Sequence, residues 1–196
     1  MKLKPIDHPV LGRLVPDQWG DSLMCFRAIP GLKLFAPEGA DDALKRLDAD
    51  DRQLVDAWQN PTPKLIKNCR NFDIFDSLRG LGVFEISFVK TATGEPSAEQ
   101  VAGHQYFREH QARICQNIAN AMLRYYAVAR SIDEDWFDNN DCPEVSTLEE
   151  LGPLANVDGI TYTNTVCEGL PVLTLSWKIN WDEEHGLSMA VWKDQV

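Results

Sequence analysis

The stretch Ser97-Ala-Glu-Gln-Val-Ala-Gly-His-Gln-Tyr-Phe-Arg-Glu-His-Gln-Ala-Arg-Ile114, continuing to Arg130 without a proline, decides the fold. Ser97 followed three residues later by Gln100 has the form of a capping box, in which two side chains satisfy the first unpaired amides of a helix. Val101, Phe107, Ile114, Ile118, Met122, Tyr125 and Val128 then recur at roughly helical spacing. The pattern predicts one long helix to about Arg130, with this face as the main packing surface. His104 and His110 stand six residues apart on it and so do not share a face, as metal ligands at i, i+4 would. Both read as surface or hydrogen-bonded histidines.

Strand signals flank the helix. On the C-terminal side, Ile160–Val166, Val172–Ile179 and Leu187–Trp192 are rich in β-branched and aromatic residues, and an antiparallel meander is the simplest arrangement. On the N-terminal side, Leu23–Ile29 and Leu32–Phe35 flank Pro30-Gly31, which predicts a β-hairpin. Asp41 and Asp42 open a helical pattern that Asn60-Pro61 stops and Asp48 divides in two. Residues 61–82 carry some helical character and Val83–Val89 reads as a strand. Ser146-Thr-Leu-Glu-Glu-Leu predicts one capped turn, with Ser146 as cap and Glu149 as its partner. Blocks of strand, helix and strand, rather than regular βαβ alternation, give an α+β fold: an antiparallel sheet, made of an N-terminal hairpin and a C-terminal meander, packed against a long central helix and shorter ones. At 196 residues, a single domain over 1–196 is expected.

Charge is unevenly spread. The net charge is −11, and from Ser131 through Trp177 there is no Lys or Arg, while Asp133, Glu134, Asp135, Asp138, Asp141, Glu144, Glu149, Glu150, Asp158 and Glu168 all fall there. Such a potential repels nucleic acid and attracts cationic partners. Trp136 and Phe137 lie inside the acidic run. They read either as interface anchors ringed by charge or as a helix end packed on the core. The expected partner-binding set is Asp133, Glu134, Asp135, Trp136, Phe137 and Asp138.

The densest polar cluster is Trp181-Asp-Glu-Glu-His-Gly186. One reading is a turn, with Asp182 capping it, Gly186 taking positive φ, Trp181 packing beneath and His185 bonded to backbone. The other is a catalytic pair of His185 with Glu184 or Asp182, completed by a third group such as His8 or Asp17. The pattern is not HExxH, and there is no EF-hand spacing, Walker loop, GxGxxG after a strand, GxSxG or basic stripe. Cys25, Cys69, Cys115, Cys142 and Cys167 form no CxxC and read as reduced thiols. No metal and no cofactor is required by these motifs. The N-terminus lacks a signal-peptide run and no segment approaches a spanning helix, so a cytoplasmic protein is expected.

Trp181-Asp-Glu-Glu-His-Gly-Leu187, preceded by Leu148-Glu-Glu-Leu and Ile160-Thr-Tyr-Thr, resembles an uncharacterised bacterial domain family with a WDxEHG-type motif near its C-terminus. His8-Pro-Val-Leu-Gly-Arg-Leu14, followed by Trp19, is similar to the start of that family, whereas Pro61 to Pro96 looks like an insertion. The resemblance implies a bacterial protein similar in kind to the immunity proteins that neutralise polymorphic toxins. Two functions therefore stand: a protein-binding module whose acidic surface covers a basic toxin, or a hydrolase or metal-dependent enzyme built on His185, with the oligomeric state open in either case.

Overall fold

A computed structural model of the chain describes residues 4–17, 19–37, 39–68, 72–139 and 142–196. Cys69 and Asp141 lie outside them. The strands are β1 (Ile6–His8), β2 (Gly12–Pro16), β3 (Ser22–Ala28), β4 (Val83–Val89), β5 (Ala155–Cys167), β6 (Leu170–Ile179) and β7 (Leu187–Val191). The helices are α1 (Ala40–Arg46), α2 (Ala49–Asp56), α3 (Pro63–Asn68), α4 (Phe72–Gly80), α5 (Ala98–Ile132), α6 (Glu134–Asn139) and α7 (Leu148–Leu151). The strands form one seven-stranded sheet in chain order, β1 to β7. Neighbours are antiparallel except β4 and β5, which are parallel. A parallel pair needs a long crossover, and α5 supplies it. The fold is α+β.

The capping box forms. Ser97 Oγ accepts from the Gln100 amide at 3.1 Å, and Gln100 Oε1 accepts from the Ser97 amide at 2.8 Å. The same Gln100 side chain donates through Nε2 to Val89 O at 2.9 Å and to Tyr162 O at 3.0 Å. One residue thus satisfies the helix start and fastens it across the end of β4 and the middle of β5, where the two strands run parallel.

Side-chain alternation along the strands separates two faces. Toward α5 point Cys25, Ile86, Phe88, Ile160, Tyr162, Leu175 and Trp177, which join Phe107, Ile114, Ile118, Met122 and Tyr126 in the larger core. On the opposite face Phe26 and Val83 pack under Leu54, Val55, Leu65, Ile74 and Leu78. That second layer covers the β3–β4 side of the sheet. Over β5 and β6 the same face is polar, carrying Thr161, Thr163, Thr174, Ser176 and Lys178.

Several local readings change. Pro30–Phe35 is a 3₁₀ helix, so β3 pairs with β2 and β4 and Leu32–Phe35 forms no hairpin with it. Leu32 and Phe35, three apart, both turn inward and are fully buried, which a strand would not allow. Asp48 does divide the helical pattern, capping α2 by accepting from the Asp51 amide at 2.8 Å. The cap of α7 is Thr147 with Glu150, one residue later than Ser146 with Glu149. Over the length of α5 the buried stripe drifts, so Tyr126 is buried while Tyr125 and Val128 are 41% and 59% exposed. Of the two readings of His104, surface or hydrogen-bonded, the structure gives the second, with the side chain buried. Its Nδ1 meets Tyr162 Oη at 3.3 Å, its Nε2 has no partner among the described residues, and burial lowers its pKa to about 4. The reading of the cysteines as thiols stands for Cys25, Cys115, Cys142 and Cys167, all free. No helix, among the described residues, is long and apolar enough to cross a membrane.

Candidate docking surface

Two acidic segments far apart in sequence meet at one end of α5. Asp133 ends α5 and starts α6, its carboxylate accepting from the Trp136 amide at 3.1 Å. This bend turns successive aromatic residues in opposite directions. Phe137 is 4% exposed and packs on Tyr126 and Trp181, with ring centroids 5.3 and 6.1 Å apart. It is core, and the expectation that it anchors a partner is corrected. Trp136 stays 52% exposed, and its indole N–H donates to Trp181 O at 3.0 Å. The side chain is thereby fixed before any partner arrives, which lowers the entropy lost on binding.

The segment Trp181–Gly186 forms the turn that the sequence pattern describes. Asp182 Oδ1 accepts from the His185 amide at 3.2 Å and meets His185 Nδ1 at 2.9 Å. The side-chain contact from His185 holds the Asp182 carboxyl below the usual range. Gly186 has φ +64°, and a Cβ there would stand 2.6 Å from Trp177 O, so both conformation and space require glycine. Trp181 is buried beneath, as expected, whereas the His185 ring bonds the Asp182 carboxylate rather than backbone.

Together the turn and α6 border a hollow of about 490 Å³ lined by Trp136, Trp181, Asp182, Glu183, Glu184 and His185, with Asn180. Every lining residue except Trp136 comes from the turn or the strand end beside it. His8 and Asp17 lie with β1 and β2 at the opposite edge of the sheet and are occupied locally. His8 Nδ1 accepts from the Leu11 amide at 3.1 Å, and Asp17 accepts from Ser22 Oγ at 2.6 Å. The structure brings Asp182, Glu184 and His185 together but does not bring a third group from those strands. Among the described residues no group of three or more His, Cys, Asp or Glu side chains is placed to hold a metal ion.

Around Trp136 the carboxylates divide by role. Asp138 pairs with Arg130, which also donates to Cys142 O at 2.5 Å. Glu134, Asp135, Glu183 and Glu184 are exposed and, among the described residues, take part in no ion pair. Beside them Tyr125, Val128 and Ile132, spaced three and four apart along one side of α5, are all exposed, Ile132 by 79%. The Tyr125 ring lies 6.4 Å from that of Trp181, the residue whose carbonyl holds Trp136. The sequence signal for this stripe was present, but a uniform helical wheel assigned Tyr125 and Val128 to the core.

A model of a domain of unknown function, DUF6985, matches residues 67–196. The chain belongs to the DUF6985 family. No curated protein and no solved structure matches it. The DUF6985 match contains α4 to β7 and both acidic segments, and its edge falls inside α3. The region 61–96, expected to be an insertion, therefore lies largely within the family match, and the opening His8–Leu14 lies outside it. The sheet crosses that edge without interruption, since β3 pairs with β4 along seven residues of each strand.

Proposed function

We propose that this DUF6985 protein is a binding module whose acidic end captures a basic protein. The observation that carries the reading is the half-exposed Trp136, which follows the exposed Glu134 and Asp135 in α6, is held by its indole N–H to Trp181 O, and shares a hollow with Glu183 and Glu184. An aromatic anchor of fixed geometry beside an exposed apolar stripe, rimmed by unpaired carboxylates, combines the two features of a charged-partner interface: apolar area for affinity and charge for rapid association. The most concrete version is a bacterial, cytoplasmic immunity protein that covers the basic surface of a toxin. Three buried free thiols suit a reducing compartment.

The enzyme reading rests on the 2.9 Å contact of His185 with Asp182. It has less support, because the His185 side chain is 78% exposed and, among the described residues, no third group from elsewhere meets it. The discriminating experiment is capture from host lysate with the wild-type chain, a variant carrying Asp133→Lys, Glu134→Lys and Asp135→Lys, and His185→Ala. The binding reading expects a stoichiometric basic protein on the wild type and on His185→Ala, lost at high salt and with the triple variant. Equal capture by all three at every salt concentration would contradict it.

A further inference from the structure

On the sheet face away from α5, the helical layer stops short. α4 lies over β3 and β4, and between its flank and the bare strands β5 and β6 there is a second hollow of about 340 Å³. Its floor is built from alternate residues of three adjacent strands: Glu85 on β4, Thr161 on β5, Ser176 and Lys178 on β6. Arg79 of α4 forms the wall. A register shift in β5 between Val157 and Gly159 places Asp158 at the rim.

The charges in this hollow do not close. Arg79, 6% exposed, donates to Asp158 O at 2.8 Å and to Asp158 Oδ1 at 3.0 Å, lies 3.5 Å from Asp76 Oδ1, and stacks over Phe75. Lys178 Nζ is 3.4 Å from Asp158 Oδ1. Both cations therefore already have carboxylate partners. Glu85 has none of its own: its one hydrogen bond is from Ser87 Oγ at 3.3 Å, and among the described residues no Lys or Arg lies within ion-pair distance. Burial first, with the Asp158 and Asp17 charges adding to it, raises its carboxyl pKa to about 7, against the lowering from Ser87 and Arg79. A recessed carboxylate that faces a cavity without a counterion has two ways to be neutralised, a proton or a cation from outside, and a pKa near neutrality leaves both open to Glu85 even though Arg79 and Lys178, each held by Asp158, border the same hollow. Flanking hydroxyls accept hydrogen bonds from N–H groups, and the absence of three ligating side chains among the described residues argues for an organic cation over a metal.

We propose that this hollow binds a small organic amine, its ammonium group paired with Glu85 and hydrogen-bonded to the Thr161 and Ser176 hydroxyls. The site is independent of the acidic end of α5, which lies on the other face of the sheet. Amine binding requires the ionised carboxylate, so apparent affinity rises with pH through the Glu85 titration, by roughly tenfold between pH 6 and pH 8, and proton release accompanies binding at neutral pH.

Calorimetric titration of the full chain with putrescine and with agmatine, against butane-1,4-diol and succinate as neutral and anionic counterparts, tests the proposal. Saturable binding of one amine per chain is expected, tightening about tenfold from pH 6 to pH 8, with no binding of diol or succinate. Glu85→Gln, which keeps shape, should weaken it at least tenfold and remove the pH dependence, while Ser176→Ala, at an exposed strand position, should weaken it a few-fold. Reversing Asp133, Glu134 and Asp135 to Lys should leave it unchanged, which separates a site from general attraction to an acidic protein. Succinate binding, binding that Glu85→Gln and Ser176→Ala both retain in full, or loss of binding in the α6 variant would each overturn the proposal.

Discussion

The two faces of the sheet treat their polar residues in opposite ways. Toward α5 the layer is closed over most of its area, and His104, buried in it beside a hollow that Arg27, Arg108 and Gln111 border, is held neutral, its pKa lowered to about 4 by burial first and by the Arg27 and Arg108 charges second. On the other face the helical layer ends over β4, and the polar groups at that boundary keep their charges in a network of Arg79, Asp158, Asp76 and Lys178, with Glu85 left unpaired. The comparison teaches that burial alone does not set the charge state. A closed layer enforces neutrality, whereas a half-closed one holds ions only as far as partners reach.

The largest effect should come from adding atoms to the closed face. Gly103 of α5 lies so near the sheet that a Cβ would fall among the ring carbons of Pro171, while one on Gly159, on the open side, would meet nothing within 4 Å. Gly103→Val should therefore cost about 3 kcal/mol or more, outweighing any gain in helix propensity. Gly159→Ala should cost under about 1 kcal/mol. Urea denaturation of both reads the contrast directly, and equal costs would break it.

Next come opposed pH slopes. An unfolded histidine takes up its proton first on acidification, so the His104 contribution is fully present above about pH 6.5 and is lost as pH falls toward about 4, by on the order of 1 kcal/mol per pH unit. Glu85 has a native pKa above its unfolded value, so its contribution is greatest below about pH 4.5 and declines as pH rises toward about 7. In the native protein the two slopes partly cancel. Glu85→Gln should gain on the order of 1–2 kcal/mol at pH 8 and little at pH 4, leaving a steeper loss of stability on acidification. His104→Phe, whatever its packing cost, should expose the opposite trend. Denaturation from pH 4 to pH 8 checks both, and parallel profiles would contradict the assignment.

A smaller effect on stability should come from Trp136→Ala. It removes a half-exposed side chain and its hydrogen bond to Trp181 O, so a loss of about 1–2 kcal/mol is expected. Phe137→Ala, one residue later, removes a buried ring and should cost about 3 kcal/mol. The capture assay should show the reverse order for partner binding once folding is accounted for.

Much of the architecture was legible because its signals are local. The Ser97–Gln100 box, the break at Asp48, the strand at Val83–Val89 and the C-terminal meander each follow from a few adjacent residues. Where the signal was ambiguous over short range, the reading slipped. Leu32-Lys-Leu-Phe fits a strand or a 3₁₀ turn until burial of both Leu32 and Phe35 decides it, and Ser146 and Thr147 are equally good caps. The parallel pairing of β4 with β5 depends on how α5 crosses the sheet and has no local signature.

The sites were less legible for the same reason. Trp136 and Trp181 are 45 residues apart, so the acidic run and the turn looked like alternatives when they share one hollow. Glu85 and Ser87 did carry a signal, since polar residues at alternate positions of an apolar strand mark a face that is not sealed. Matching alternation in Thr161 and Thr163, and in Thr174, Ser176 and Lys178, extends that face across three strands. Only the fold shows that Arg79 closes its edge and that Asp158, 79 residues away, answers it.

Hydrogen–deuterium exchange of the chain with and without its captured partner tests the central claim most directly. The account predicts slowed exchange confined to the C-terminal end of α5, to α6 and to the turn 181–186, with protection lost in Trp136→Ala. Protection centred on the open face of β5 and β6, or none at 133–138 and 181–186 despite stable complex formation, would contradict it.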